Sequence, residues 1–137
     1  MKFIHTRVYK NRKIYKCRII RDCMLLSKKA IIEINEQFDN GHVINANSLN
    51  YIIEEARKSE NWLKSLAIVV RGILIDHIFE EGNKRTTAAV IATWLDMENL
   101  YYNKDKINDL IIKILKKNIT NLNEIMGLIK NAIQTTG

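Results

Sequence analysis

Between positions 76 and 86 the chain reads Asp-His-Ile-Phe-Glu-Glu-Gly-Asn-Lys-Arg-Thr. These eleven residues carry an imidazole (His77), three carboxylates (Asp76, Glu80, Glu81), an amide (Asn83), an ammonium (Lys84) and a guanidinium (Arg85). His77 is the natural proton acceptor of the set and a candidate general base. Glu81 supplies the hard oxygen that holds Mg²⁺ against phosphate oxygens. Gly82-Asn83 is a turn-forming pair, with Asn83 a favoured N-cap, and Lys84-Arg85-Thr86 opens the helix that follows. The first N–H groups of a helix have no intrahelical acceptor and sit at the positive end of its dipole. Two cations there oppose a bare helix but suit one that receives an anion. The stretch therefore offers an anion cradle (Gly82, Asn83, Lys84, Arg85, Thr86), a metal carboxylate (Glu81) and a base (His77).

Two uncharged runs flank it. Before it come Leu66-Ala67-Ile68-Val69-Val70 and, past Arg71-Gly72, Ile73-Leu74-Ile75; after it comes Thr87-Ala88-Ala89-Val90-Ile91-Ala92-Thr93-Trp94-Leu95. A helix apolar on all faces is a buried helix, so both flanks are expected in the interior. Charged groups carried toward that interior cost several kcal/mol unless they meet partners or a ligand. Each residue also has a duller role. His77 can bond to backbone, Glu81 can pair with Arg85 across the turn, Asn83 can be an N-cap alone, and Lys84 can be an exposed first-turn lysine.

His77-x-Phe79-x-Glu81-Gly82-Asn83-x-Arg85 resembles the signature of the Fic/Doc superfamily, with six fixed positions in nine residues. The resemblance covers residues 65 to 100 and extends, by order of elements, over 20 to 64. It implies a compact, mainly α Fic/Doc-type domain that transfers a phosphorus-containing group from ATP to a protein Ser, Thr or Tyr hydroxyl. His77 would be the base and Glu81 the Mg²⁺ ligand. Residues 82 to 86 would bind the nucleotide, with Lys84 and Arg85 stabilising the transferred group. The AMP-transferring branch resembles His-Pro-Phe-x-x-Gly-Asn-Gly-Arg-x-x-Arg; here Lys84 replaces its second Gly and Ala88 its second Arg. Asn83-Lys84-Arg85-Thr86 instead resembles the Doc branch, toxins that phosphorylate a protein hydroxyl and are neutralised by a small antitoxin. Gly82 stands where the Doc toxin resembles Ala, so the motif mixes the branches. Phosphoryl transfer leads, AMP transfer follows, and a catalytically silent nucleotide- or partner-binding domain is the non-enzymatic alternative.

The chain has 137 residues, 47% of them apolar, which suits one domain with one core. Neither apolar run reaches the ~20 residues that span a bilayer, and residues 1 to 7 lack the apolar core of an export signal, so no membrane association and a cytoplasmic location are expected. Cys17 and Cys23 lack metal-site spacing and read as reduced thiols. The net charge of +7 is uneven. Residues 1–30 carry ten Lys/Arg against one acid, whereas residues 31–137 carry twelve against fourteen. Residues 2–29 are thus a candidate nucleic-acid or acidic-partner contact, but no base-stacking pattern accompanies them and a solvated hairpin is the reading the pattern favours.

In chain order, Phe3–Tyr9 and Ile14–Ile20 have strand composition, with Lys10 to Lys13 as the turn, predicting a basic β-hairpin over 1–20. One long helix from about Ile14 is the alternative. Asp22 reads as the cap of a helix reaching about Phe38. Residues 39–47, with Asn40-Gly41 as turn signal, form the clearest loop; in the family this segment is a flap that aligns the target by strand addition. Ser48 is expected to cap a helix from Leu49 to Lys58. The buried pair follows, from about Trp62 and to about Glu98-Asn99. Lys104 to Lys117 is amphipathic, and Thr120 opens a last helix to about Gln134. Thr120-x-x-x-Glu124 meets two of the three positions of the family's autoinhibitory motif, but Ile125 fails the third.

Overall fold

A computed structural model describes residues 27–134. The expected hairpin, Asp22, both cysteines and most of the basic segment lie outside that range.

The described chain is mainly helical. Its helices are α1 (Lys28–Asn35), α2 (Ala46–Lys58), α3 (Trp62–Ile75), α4 (Asn83–Met97), α5 (Lys104–Lys117) and α6 (Leu122–Ala132). One antiparallel ribbon joins β1 (Tyr101–Tyr102) to β2 (Ile133–Gln134), with Tyr101 opposite Gln134 and Tyr102 opposite Ile133. Burial and the neighbouring Asp96 carboxylate hold the Tyr102 hydroxyl above its ordinary pKa. No described helix is long and apolar enough to cross a membrane.

α3 is the central element and packs against α2, α4, α5 and α6. From Ser65 to Leu74 every residue except Arg71 is buried, as its composition dictates. Asn61 caps it by accepting from the N–H groups of Leu63 and Lys64. At Gly72 the crossing with α2 is so close that an added Cβ would overlap Ile52 Cδ1. Gly72→Ala is therefore expected to lower stability by about 1 to 3 kcal/mol from overpacking, outweighing the ~1 kcal/mol helix preference of Ala over Gly. Urea titration checks this, and the loss should shrink beside Ile52→Val. A raised midpoint for Gly72→Ala would refute the close crossing.

Several boundaries differ from expectation, each for a tertiary reason. α1 stops at Asn35 rather than Phe38, because Phe38 and Asp39 both donate to the Asn35 carbonyl and turn the chain. α2 begins at Ala46, so Ser48 lies inside it; the N-cap is Asn45, whose side chain donates instead to the Asp76 carbonyl (3.3 Å). α6 is capped by Asn121 rather than Thr120, whose carbonyl accepts from Arg71. The last helix ends at Ala132, not Gln134, because the chain leaves it to pair with β1. Two-residue strands carry no readable alternation. α4 is not buried all round: Ala88, Ala89 and Ala92 are half-buried along a groove between α4 and α5.

Candidate functional site

The site forms where the chain leaves α3 and re-enters the core as α4. His77 directly follows the α3 C-cap and is exposed, with φ +55°. That left-handed backbone is uncommon for a residue with a side chain. The chain then dives inward, and Ile78 and Phe79 are fully buried. Residues 78–80 pair through one antiparallel bridge with the 39–47 loop: Ile44 N–H donates to Ile78 O (2.9 Å) and Glu80 N–H to His42 O (3.0 Å). The opposite edge is closed by one side chain. Asn83 Oδ1 accepts from the Phe79 N–H (3.0 Å) while its Nδ2 donates to the Phe79 carbonyl (2.9 Å). The Asn83 amide thus stands in for a neighbouring backbone segment.

Gly82 is the N-cap of α4, with φ +79°, and takes the role expected of Asn83. A Cβ there would lie 3.0 Å from Asn35 Nδ2, so shape and backbone both demand glycine. Beneath the turn, fully buried Asn35 donates to the Glu81 carbonyl (3.0 Å) and to Thr86 Oγ1 (2.9 Å) and accepts from the Gly41 N–H (2.8 Å). Thr87 Oγ1 donates to the Asn83 carbonyl (2.8 Å).

A cleft of about 430 Å³ opens above this scaffold. It brings together His77, Glu81, Gly82, Asn83, Lys84 and Arg85, six of the seven residues expected to form the site. The seventh, Thr86, does not line it. Its side chain is buried on Asn35 and its N–H donates to Gly82 O (2.8 Å), so it supports the turn and offers nothing to a ligand. The Asn83 side chain is likewise spent on Phe79, which leaves its backbone N–H for a ligand. With the first helical bond made by Thr86, the N–H groups of Asn83, Lys84 and Arg85 at the tip have no partner among the described residues. Lys84 and Arg85 are exposed, and no acid shares the first turn of α4. Glu81 and Arg85 form no ion pair among the described residues.

Asp39 and Glu80, which are not among the expected site residues, also line the cleft, and Phe38, Leu74 and Leu115 form its apolar wall. Leu115 comes from α5, a contribution that no local pattern announces. Among the described residues no three His, Cys, Asp or Glu groups converge on a metal position. Glu81 is exposed and offers one carboxylate beside the tip of α4. Phe38, Lys84 and Arg85 also line a second, larger and mostly apolar groove of about 620 Å³, floored by Ala88, Ala89 and Ala92 and walled by Ile107 and Ile111. Glu124 lines neither cavity.

Compared with known proteins, the chain matches no family model, no curated protein and no solved structure.

Proposed function

We propose that the chain is a Fic/Doc-type transferase that moves the γ-phosphoryl group of ATP to a hydroxyl of a protein. The observation that carries this reading is a single cleft bordered by an exposed imidazole, three carboxylates (Asp39, Glu80 and Glu81), two cations and three helix N–H groups that have no partner among the described residues. Phosphoryl transfer asks mainly for positioning and charge stabilisation, which a helix terminus supplies without reorganising. His77 takes the proton of the acceptor hydroxyl as its oxygen bonds to the γ-phosphorus. The bond from that phosphorus to the β,γ-bridging oxygen breaks, and ADP leaves. The N–H groups of Asn83, Lys84 and Arg85, with the Lys84 and Arg85 side chains, stabilise the negative charge on the transferred group. Glu81 would hold a Mg²⁺ ion, which would supply positive charge against the nucleotide phosphates. The apolar groove beside Lys84 and Arg85 suits the nucleoside end of ATP.

The flap agrees with this reading. Because His42 O and Ile44 N–H face residues 78–80, the N–H and C=O of Val43 face the other way and leave an edge for an extended target segment. A role as the toxin of a toxin–antitoxin pair rests on the motif resemblance alone. AMP transfer is the second reading, since the same cradle accepts an α-phosphate. Ala88 favours the first, because it lines the apolar groove and supplies no cation for the distal phosphates.

Incubation of a cell lysate with γ-labelled or α-labelled ATP separates them. Label from the γ position on a protein, absent with His77→Ala, is the expected outcome. Label from the α position alone establishes AMP transfer instead. No transfer of either label, with ATP still bound, establishes the silent domain.

A further inference from the structure

Six polar side chains are buried among the described residues, and four of them (Asn35, Asn83, Thr86, Thr87) lie under one turn. A buried network that is fully satisfied rigidifies what it joins. Asn83 and Thr87 form one set of bonds with Phe79, and Asn35 with Thr86 forms another, in which the three side-chain bonds of Asn35 reach two segments, the turn and the 39–47 loop. Nδ2 holds both flanks of the turn, at the Glu81 carbonyl and Thr86 Oγ1, while Oδ1 of the same planar amide holds the flap at the Gly41 N–H. Any shift of the turn that moves Nδ2 must move Oδ1 with it.

We propose that Asn35 is a positioning residue that makes the flap and the anion-binding turn one unit, so that an anion bound at the tip of α4 orders the flap. The inference rests on the reading of that tip as an anion site. Its physical basis is a relay of two short links. An anion on the N–H groups of Lys84 and Arg85 steadies the first turn of α4, Thr86 included, and the Asn35 amide carries that restraint to Gly41. Target docking at the flap and nucleotide binding at the turn would then strengthen each other, as linkage requires.

Amide hydrogen exchange with and without Mg·ATP tests this in the full chain. In the wild type, Mg·ATP should slow exchange at Lys84 and Arg85, and at Gly41 on the order of tenfold. Thr86→Val leaves the bonds of Asn35 to Gly41 and to the Glu81 carbonyl in place and removes only the acceptor through which α4 itself holds Asn35. In that variant slowing at Lys84 and Arg85 should persist, while slowing at Gly41 falls below about twofold. Thr86→Ser, which restores the hydroxyl, should restore the response. A purely structural role for Thr86 would alter basal exchange without altering this response. Equal slowing at Gly41 in Thr86→Val overturns the proposal, as does a wild type in which Lys84 and Arg85 respond and Gly41 does not. Absence of slowing at Lys84 and Arg85 overturns the anion-site reading, and this inference with it.

Discussion

His77→Asn is expected to lower the rate of group transfer by about 10²- to 10⁴-fold, the range supplied by a positioned general base, while ATP binding stays close to wild type. Asparagine is the informative replacement because of the backbone. At φ +55° a side-chain-bearing residue is strained, and Asn is among the few that adopt this region readily. The variant therefore removes the imidazole without disturbing the turn that carries it. His77→Gly relieves the strain outright and is expected to raise stability by roughly 1 kcal/mol relative to His77→Ala. Single-turnover transfer from γ-labelled ATP, calorimetric titration with Mg·ATP and urea unfolding of the three variants read these effects separately. Transfer by His77→Asn within about tenfold of wild type would remove the imidazole from the chemistry.

Asn83→Ala should be the most destabilising substitution in the loop. Its amide satisfies the N–H and the C=O of Phe79, and both Asn83 and Phe79 are buried. Truncation leaves a donor and an acceptor without partners in a dry environment, at about 1 to 3 kcal/mol each. A total near ~3 kcal/mol is a large part of the ~5 to 15 kcal/mol that a domain of this size has to lose. Asn83→Asp should not rescue it. A carboxylate can still accept from the Phe79 N–H, but its second oxygen would face the Phe79 carbonyl as a buried charge. Because Phe79 anchors the segment from which Glu80 and Glu81 emerge, ATP affinity should fall along with stability. Urea unfolding and Mg·ATP titration of wild type, Asn83→Ala and Asn83→Asp test this. A change of less than ~0.5 kcal/mol in Asn83→Ala would show that the loop is held by Phe79 packing alone.

Much of this was readable from the chain. The composition of 62 to 75 announced a buried helix, and α3 is one. The amphipathic period of 104 to 117 gave α5 its ends, and the buried face of α2 falls on Leu49, Ile52, Ile53 and Ala56 as spaced. The chemistry-bearing stretch was legible because its residues are contiguous: one turn and one helix start bring His77, Glu81, Lys84 and Arg85 to the same cleft. Cap positions were less secure. Ser48 and Thr120 are good caps by type, yet the neighbouring Asn45 and Asn121 take the N-cap positions because the chain path puts them there.

What the amino-acid order determined by itself is whatever depends on neighbours within a helical turn: the helices, their buried faces and the crowding of polar groups between 76 and 86. Only the tertiary structure decided how that crowding is resolved. It turned Asn83 and Thr86 inward as supports, and it brought Leu115 of α5 to the cleft wall. It also placed Asn35 beneath the turn across sequence separations of 46 and 51 residues. Contacts that distant depend on how helices pack against one another, and a side chain's type does not reveal which remote backbone group will satisfy it.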